Sequence, residues 1–267
     1  MQVLFWGRGK MRIIKVPRIN ALGLKGPESA PNLILAELKK IYPDYSKLDL
    51  EEIHVDNSDV RESENLIYKN AKEEFENRES VVFIGGDHSI SFPILRGFMD
   101  GVEGEKFLIV FDAHADCMKP MKEPTHEEWL RAVIEGGFNP ENIILIGCRK
   151  IEKQEADFLR KNRVKIFSGE GHMESIADYV TEKARDKEVY ISIDIDAVDP
   201  AFAPGVNYPE PAGLTSKEFF YLLKRVFHLP KIRGLDIVEV VPDKDIGGLT
   251  IRTCAKILEV FLNSFNR

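Results

Sequence analysis

Short runs of apolar residues recur along the chain, and each ends in a polar or glycine-rich segment. They are "VVFIGGDHS" (81–89), "FLIVFDAHAD" (107–116), "IILIGCR" (143–149), "VKIFSG" (164–169), "VYISIDID" (189–196) and "IRGLDIVEV" (232–240). Stretches with the periodicity of amphipathic helices alternate with them, at 63–78, 150–162, 175–186, 216–227 and 251–265. Apolar strands that alternate with such helices indicate a mostly parallel sheet covered on both faces. We therefore predict a single domain over residues 1–267, a three-layer α/β/α sandwich.

The composition narrows the class of protein. Of the 267 residues, 43% are apolar and 30% are charged, which is typical of a soluble globular chain. The formal net charge of −7 argues against a nucleic-acid partner, which normally meets a basic patch or stripe. No apolar stretch approaches the roughly 20 residues that a membrane-spanning helix needs. We therefore expect neither nucleic acid nor a membrane as a partner.

The N-terminus and the cysteines bear on where the protein works. The N-terminus has no apolar region followed by a cleavage site, so we predict no signal peptide. The run "MRIIKV" reads like a first strand, and the ten residues before it have no evident role, so the natural start could be Met1 or Met11. The cysteines, at positions 117, 148 and 254, are too few and too scattered for a disulfide framework or a zinc cluster. A reducing, cytoplasmic location is the expectation.

Charged and imidazole side chains fall at or just beyond the ends of four of the apolar runs. They are His88, Asp112, His114, Asp116, Asp194, Asp196 and Glu239. In open α/β sheets the ligand site lies beyond the carboxyl ends of the strands. Unrelated loop residues would scatter over both edges of the sheet. The common edge therefore predicts a functional site.

The spacing of these residues points to metal. Asp112, His114 and Asp116 stand at alternate positions, so their side chains point to one side of an extended chain, and Asp194 and Asp196 repeat that spacing. Carboxylates combined with imidazoles suit a hard or borderline divalent ion, Mn²⁺ above all. Any one aspartate could instead cap a turn or a helix, but capping does not explain the whole set. We predict a site for two metal ions.

The remaining histidines and Cys117 carry weaker signals. His126, in "EPTHEEWLR", follows Asp116 by ten residues, and it could transfer protons above the strand ends or simply begin a surface helix. The histidines at 54, 172 and 228 have ordinary polar surroundings and are expected to be surface or core residues. Cys117 is expected to be a packing residue, because nearby acids would raise the pKa of its thiol.

Four motifs resemble those of a known family. "GGDHS", "DAHAD", "SIDIDAVDPAFAPG" and "DIVEV" follow the order and approximate spacing of the ureohydrolases, the arginase and agmatinase family, and the agmatinase branch is the most similar. The resemblance implies an arginase-like fold and a binuclear manganese hydrolase. In that family a hydroxide that bridges the two metal ions attacks a guanidino carbon and releases urea and an amine.

The resemblance also implies a role for each site residue. It gives two Mn²⁺ ions per chain, with Asp112 and Asp194 as the bridging carboxylates. The full set of metal ligands is His88, Asp112, His114, Asp116, Asp194 and Asp196. Glu239 would hold the substrate guanidinium, and His126 would shuttle protons. Relatives commonly form trimers or hexamers, so a homo-oligomer is expected.

The substrate stays open at this level. The segment "AFAPGVNYPEPAGLT" (201–215) is closer to agmatinases than to arginases, although Ala212 replaces a usual glycine and "GVNY" replaces a Gly-Thr-Gly-Thr-like turn. Hydrolysis of agmatine to putrescine, a step of polyamine biosynthesis, is the favoured reaction. Lys119 and Lys122 could instead face a carboxylate, as in a guanidino acid or formiminoglutamate, or could simply be solvated. Arginine and aminopropylagmatine are further candidates.

Two other classes of protein compete with this interpretation. A metallophosphoesterase would need further histidines and usually an asparagine at the metals, and the six histidines here include no such motif. A non-catalytic metal-binding relative would not need to retain Glu239 and a shuttle histidine beside intact ligands. An amidine hydrolase is therefore preferred.

Overall fold

The structure, a computed structural model, describes residues 11–20 and 25–265. These residues build one sheet of eight strands: β1 (Arg12–Val16), β2 (Asp49–Glu52), β3 (Val81–Gly85), β4 (Lys106–Phe111), β5 (Ile143–Ile146), β6 (Lys165–Phe167), β7 (Glu188–Asp194) and β8 (Ile232–Val238). The strand order is β2-β1-β3-β8-β7-β4-β5-β6, and every neighbouring pair is parallel.

Helices cover both faces of the sheet. They are α1 (Ala30–Ile41), α2 (Val60–Asn77), α3 (Ser91–Gly101), α4 (Trp129–Glu135), α5 (Lys153–Lys161), α6 (Met173–Ala184), α7 (Ser216–Val226) and α8 (Leu249–Phe265). Helices α1, α6, α7 and α8 share one apolar cluster with the sheet, and α2, α3, α4 and α5 share the other. Along β4, Phe107 and Ile109 enter the first cluster and Leu108 and Val110 the second, so both faces of the strand are apolar. The predicted three-layer fold is confirmed.

Four strands in the middle of the sheet carry the residues of interest. The order β3-β8-β7-β4 makes them consecutive neighbours, and all four run in the same direction. Neighbouring strands lie about 4.8 Å apart, so side chains just beyond their carboxyl ends can touch. The crossovers therefore gather four separate parts of the sequence at one point.

Some elements had no signal strong enough to predict. Helix α3 contains Pro93, Gly97 and Gly101, which ordinarily argue against a helix. Gly97 is required by packing, because a Cβ there would stand 2.7 Å from the backbone nitrogen of Lys72 on α2. The helix forms because it packs closely on α2, and that tertiary contact overrides local propensity. Strand β2 and helices α1 and α4 were also not predicted.

The structure bears on three further expectations from the sequence. Residues 1–10 lie outside the described residues, so the choice between Met1 and Met11 stays open. The assignment of all 267 residues to one domain stays a prediction. Among the helices of the described ranges, none combines the length and apolar character that crossing a membrane requires.

Candidate metal centre

Carboxylates surround the imidazole of His88, which follows β3. Its Nδ1 lies 3.2 Å from Oδ2 of Asp112, 3.1 Å from Oδ2 of Asp116 and 3.3 Å from Oδ2 of Asp194. A ring nitrogen can donate only one hydrogen, so it cannot satisfy three carboxylates. Nδ1 of His88 and Oδ2 of Asp112 are both buried, and neither forms a hydrogen bond within the described part of the chain. Ligand atoms that converge in this way suit a cation.

A second group lies beside the first and shares Asp112 with it. Nδ1 of His114 is 2.8 Å from Oδ2 of Asp196 and 3.6 Å from Oδ1 of Asp112. One group of potential ligands is His88, Asp112 and Asp194, and the other is Asp112, His114 and Asp196. The structure thus brings together all six predicted ligands. Asp112 belongs to both groups, whereas Asp194 belongs to the first alone, where its Oδ1 accepts a hydrogen bond from the backbone N–H of Asp196.

The pKa shifts of these groups reflect the crowding of carboxylates in the cluster. Burial, followed by the charge of Asp112, raises the pKa of Asp116 to about 7. Burial, followed by the charges of Asp196 and Asp112, raises the pKa of Asp194 well above its ordinary value. Burial alone would lower the pKa of His114, but hydrogen bonds to Asp112 and Asp196 raise it to about 12. The raised pKa values mean that these side chains keep protons that offset the negative charge. Divalent ions would supply that positive charge, and the mixture of oxygen and imidazole ligands fits such ions.

A buried network fixes the orientation of the His88 ring. Ser192 lies 2.9 Å from Nε2 of His88, and its hydroxyl donates to Oδ1 of Asp236 at 2.7 Å. Because the hydroxyl hydrogen is used for Asp236, Ser192 accepts from Nε2–H of His88. Ser91 and Tyr190 donate to the other oxygen of Asp236, each at 2.8 Å. In the neutral ring, this tautomer has its lone pair on Nδ1, on the side of the carboxylates, as a metal ligand requires.

Trp129, the first residue of α4, holds two of these side chains. Its indole N–H donates to Oδ2 of Asp116 at 2.7 Å, and its ring lies 4.4 Å from the ring of His88, centre to centre. Asp116 itself has a φ of 48°, in the left-handed region, where residues other than glycine are uncommon. The indole therefore holds the carboxylate of a strained residue against the cluster.

A cavity of about 250 Å³ opens above the cluster. His126 lines it; the side chain is buried, and neither ring nitrogen has a hydrogen-bond partner in the described residues. Burial lowers the pKa of this imidazole. Glu239, which follows β8, also lines the cavity, and its Oε1 accepts the backbone N–H of His88 at 2.7 Å. Its φ of 65° is again left-handed, and burial raises the pKa of its carboxyl well above the ordinary value.

The other residues considered from the sequence lie away from this cavity. Lys119 and Lys122 are exposed and do not line it. Cys117 is fully buried in an apolar cluster, and burial raises the pKa of its thiol, in agreement with a packing role. The remaining histidines, at positions 54, 172 and 228, are exposed on the surface.

The comparisons with known proteins agree with this geometry. Residues 11–263 match the profile of the arginase family. The chain belongs to the arginase family. Members of this family are binuclear metal-dependent hydrolases that act on carbon–nitrogen bonds of linear amidines.

Individual members of the arginase family resemble the chain over most of its length. It is 28% identical to a formimidoylglutamase of Halobacterium salinarum, over 90% of this chain and 83% of that protein. It is 34% identical to the proclavaminate amidinohydrolase of Streptomyces clavuligerus over 64% of this chain and 57% of that protein, and the solved structure of that enzyme superposes with a TM-score of 0.85 over 97% and 92% of the two chains. The agmatine ureohydrolase of Thermoplasma volcanium, at 26% identity, superposes with a TM-score of 0.83 over 97% and 90%.

Several residues of this arginase-family site carried little signal in the sequence. Asp236 is the exception, because a charged residue inside an apolar strand indicates that it has buried partners. Ser192 and Trp129 carried none, because their roles depend on contacts between separate parts of the chain. These residues hold or surround the groups at the strand ends.

We predict that Asp112→Ala removes most of the bound metal. The metal-loaded protein is expected to hold about two Mn²⁺ ions per chain, and loss of the carboxylate shared by both groups should leave less than one. Metal content measured by mass spectrometry after gel filtration checks this. Asp243→Ala, which changes an exposed acid at the same edge, should retain both ions. Full occupancy in Asp112→Ala would contradict the assignment.

We predict that Trp129→Phe weakens metal binding while the fold is kept. Phenylalanine can still pack on His88 but cannot donate to Asp116, and loss of such a supporting hydrogen bond typically costs about 10- to 100-fold in affinity. Titration of Mn²⁺ against a competing chelator measures the change. Tyr68→Phe is the matched control, since it deletes a donor to the carboxylate of Asp100 on the surface, at 2.6 Å. Equal affinities in the two variants would exclude the role given to Trp129.

Proposed function

We propose that this arginase-family protein is a manganese-dependent amidine hydrolase that releases urea and an amine from a guanidino compound, with agmatine, which yields putrescine, as its substrate. The observation that carries the proposal is the pair of side chains, His126 and Glu239, that line the cavity. An unpaired imidazole (His126) and an anchored carboxylate (Glu239) face the space directly above the potential metal ligands. Metal binding alone would require neither group.

Glu239 is suited to hold a guanidinium. One of its oxygens is fixed by the backbone N–H of His88, which leaves the other for the substrate. Burial disfavours the ionised carboxylate, and an incoming guanidinium supplies the opposite charge that restores it. A charge-assisted pair of this kind also orients the planar substrate above the cluster. Glu239 has a left-handed φ of 65°, and its side chain lines the cavity.

His126 is suited to move a proton. Burial lowers its pKa, so the imidazole is mainly neutral near pH 7 and can accept a proton at one nitrogen. The leaving amine must be protonated as its bond to the guanidino carbon breaks, and His126, which lines the cavity, would take a proton from solvent at one nitrogen and pass it to that amine. The residues His88, Asp112, His114, Asp116, Asp194 and Asp196 would hold two manganese ions, which supply the nucleophile by lowering the pKa of bound water.

Alternatives with an acidic substrate find less support. Lys119 and Lys122, which could have paired with the carboxylates of a guanidino acid or formiminoglutamate, lie outside the cavity. Formimidoylglutamases are nevertheless among the similar proteins, so a formimino compound belongs in any substrate panel. We place the activity in the cytoplasm, where the buried free thiols at positions 117, 148 and 254 would stay reduced, and in a homo-oligomer.

We predict that the manganese-loaded protein releases urea and putrescine from agmatine and that His126→Ala lowers turnover by about a hundredfold. Metal content should be unchanged, since His126 is not among the potential ligands. Urea release is measured over agmatine, arginine, guanidino acids and aminopropylagmatine, and formamide release over formiminoglutamate. His172→Ala, an exposed histidine, is the control and should keep the wild-type rate. No turnover of any compound by the loaded protein would overturn the proposed function.

We predict that Glu239→Gln keeps its manganese and its Tm but loses at least about tenfold in kcat/KM. The amide oxygen of glutamine can still accept the N–H of His88, so the local structure is kept, whereas the charge that pairs with the guanidinium is removed. Steady-state kinetics, metal analysis and thermal unfolding are measured together. Unchanged kcat/KM in the manganese-loaded variant would show that Glu239 does not hold the substrate, and a loss of metal or stability would show that it supports the cluster.

A further inference from the structure

The cavity contains carboxylates that the proposed reaction does not use. Glu127, Glu152, Glu155 and Glu210 all line it, above the potential ligands. Two of them are already engaged. The oxygens of Glu155 accept the backbone N–H groups of Cys117 at 2.9 Å and Glu152 at 2.8 Å, so this side chain serves the start of α5. Glu152 lies 3.5 Å from the ammonium group of Lys150, the cation that also lines the cavity.

Glu127 and Glu210 lack such partners. Within the described ranges, no lysine or arginine lies within ion-pair distance of either carboxylate, and the nearest basic atom to Glu210 is Nε2 of His114 at 3.9 Å. Glu127, Tyr208 and Glu210 form what is here called the mouth of the cavity. The positive charge of Lys150 is offset by Glu152, so the mouth keeps an excess of negative charge. A cation that enters the cavity would meet Glu127, which has no ion-pair partner in the described ranges, and Glu210, whose basic neighbour there is the imidazole of His114.

Tyr208 supplies an aromatic surface between these groups. One face of its ring stacks on His126, with centroids 5.8 Å apart and planes 18° from parallel, and the side chain is 43% exposed. Burial, followed by the charges of Glu127 and Glu239, raises the pKa of its hydroxyl, which reflects the closeness of both carboxylates. The ring lines the same cavity as the guanidinium anchor Glu239 and the carboxylates Glu127 and Glu210. An aromatic face beside carboxylates is the surrounding that an organic ammonium group prefers.

The segment that carries Tyr208 and Glu210 is held in place by its backbone. Arg149 donates to the carbonyl oxygen of Glu210 at 2.6 Å and to that of Pro211 at 3.0 Å. The same guanidinium group donates to the carbonyl oxygen of Asp196 at 2.9 Å. The mouth is thus fixed to the loop that bears a potential metal ligand, and its side chains need not order themselves when a substrate binds.

We infer that Glu127, Glu210 and Tyr208 form a subsite for an ammonium group at the far end of the substrate, and that they make the enzyme select guanidino compounds with a cationic tail over those with a neutral or carboxylate tail. The inference rests on the proposed function. It assigns the tail to the mouth and the guanidinium to Glu239, so the two ends of the substrate are recognised by different residues. The buried, unpartnered imidazole of His126 faces the space between them.

The test uses three substrates with the same four-carbon chain: agmatine, butylguanidine and 4-guanidinobutyrate. With manganese-loaded protein, kcat/KM for agmatine should exceed that for butylguanidine by about tenfold or more, and that for 4-guanidinobutyrate by a larger factor. Glu127→Gln and Glu210→Gln should each lower the ratio of agmatine to butylguanidine by about tenfold. Glu135→Gln, which changes an exposed acid of α4 paired with Arg131, should keep the ratio. Tyr208→Phe should also keep it, because the ring face remains, whereas Tyr208→Leu should lower it.

The outcomes separate this inference from the proposed function. If the three substrates are hydrolysed equally well, the tail subsite is refuted while the amidine hydrolase stands. If none is hydrolysed, the proposed function fails, and calorimetric binding of agmatine and butylguanidine then tests the subsite alone. Tighter binding of agmatine that Glu127→Gln abolishes would support the subsite, and equal binding of the two compounds would overturn it.

Discussion

The convergence of buried carboxylates around one imidazole is the constraint on which the rest of the structure depends. Three aspartates approach Nδ1 of His88 within 3.3 Å, and burial raises the pKa of Asp116 to about 7. Carboxylates gathered around one atom repel one another, and that repulsion opposes folding. The surrounding scaffold must therefore supply the stability that this cluster does not, and β3, β4 and β7, which carry His88 and the aspartates at their ends, are buried almost throughout. The apolar runs hold the fold together, while the residues just beyond them form a site that cations would stabilise.

The sequence predicted the parts of this arrangement that depend on local periodicity. Apolar runs bounded by polar residues identify strands, and parallel strands put their carboxyl ends on one edge, so His88, Asp112, Asp194 and Glu239 could be assigned to a common edge. That their four strands are also consecutive neighbours could not be predicted, because strand order is set by crossovers between distant parts of the chain. The same limit applies to Trp129, whose contact with Asp116 depends on how the intervening loop folds back.

Two strained residues show how the strand ends are aimed. Asp116 and Glu239 both have left-handed φ values, which cost free energy for side chains other than glycine. Each is held by several contacts: the indole of Trp129 and the backbone N–H of Leu130 bind Asp116, and the backbone of Gly86 accepts from Glu239. A regular strand would point alternate side chains to opposite faces of the sheet. Asp116 and Glu239 leave that alternation, and both side chains line one cavity.

The centre and the mouth of the cavity are built from different kinds of structure. Groups at the centre follow directly from sheet strands and are fixed by buried partners such as Asp236, so substitutions there would disturb several contacts at once. Groups at the mouth stand on loops, where Tyr208 and Glu210 contribute side chains while Arg149 binds the backbone. Because the backbone is held independently, the mouth side chains can change without displacing Asp196. Side chains at the mouth can therefore vary within the family while the potential metal ligands stay in place. The segment "GVNY", where this chain departs from the family pattern, lies at the mouth.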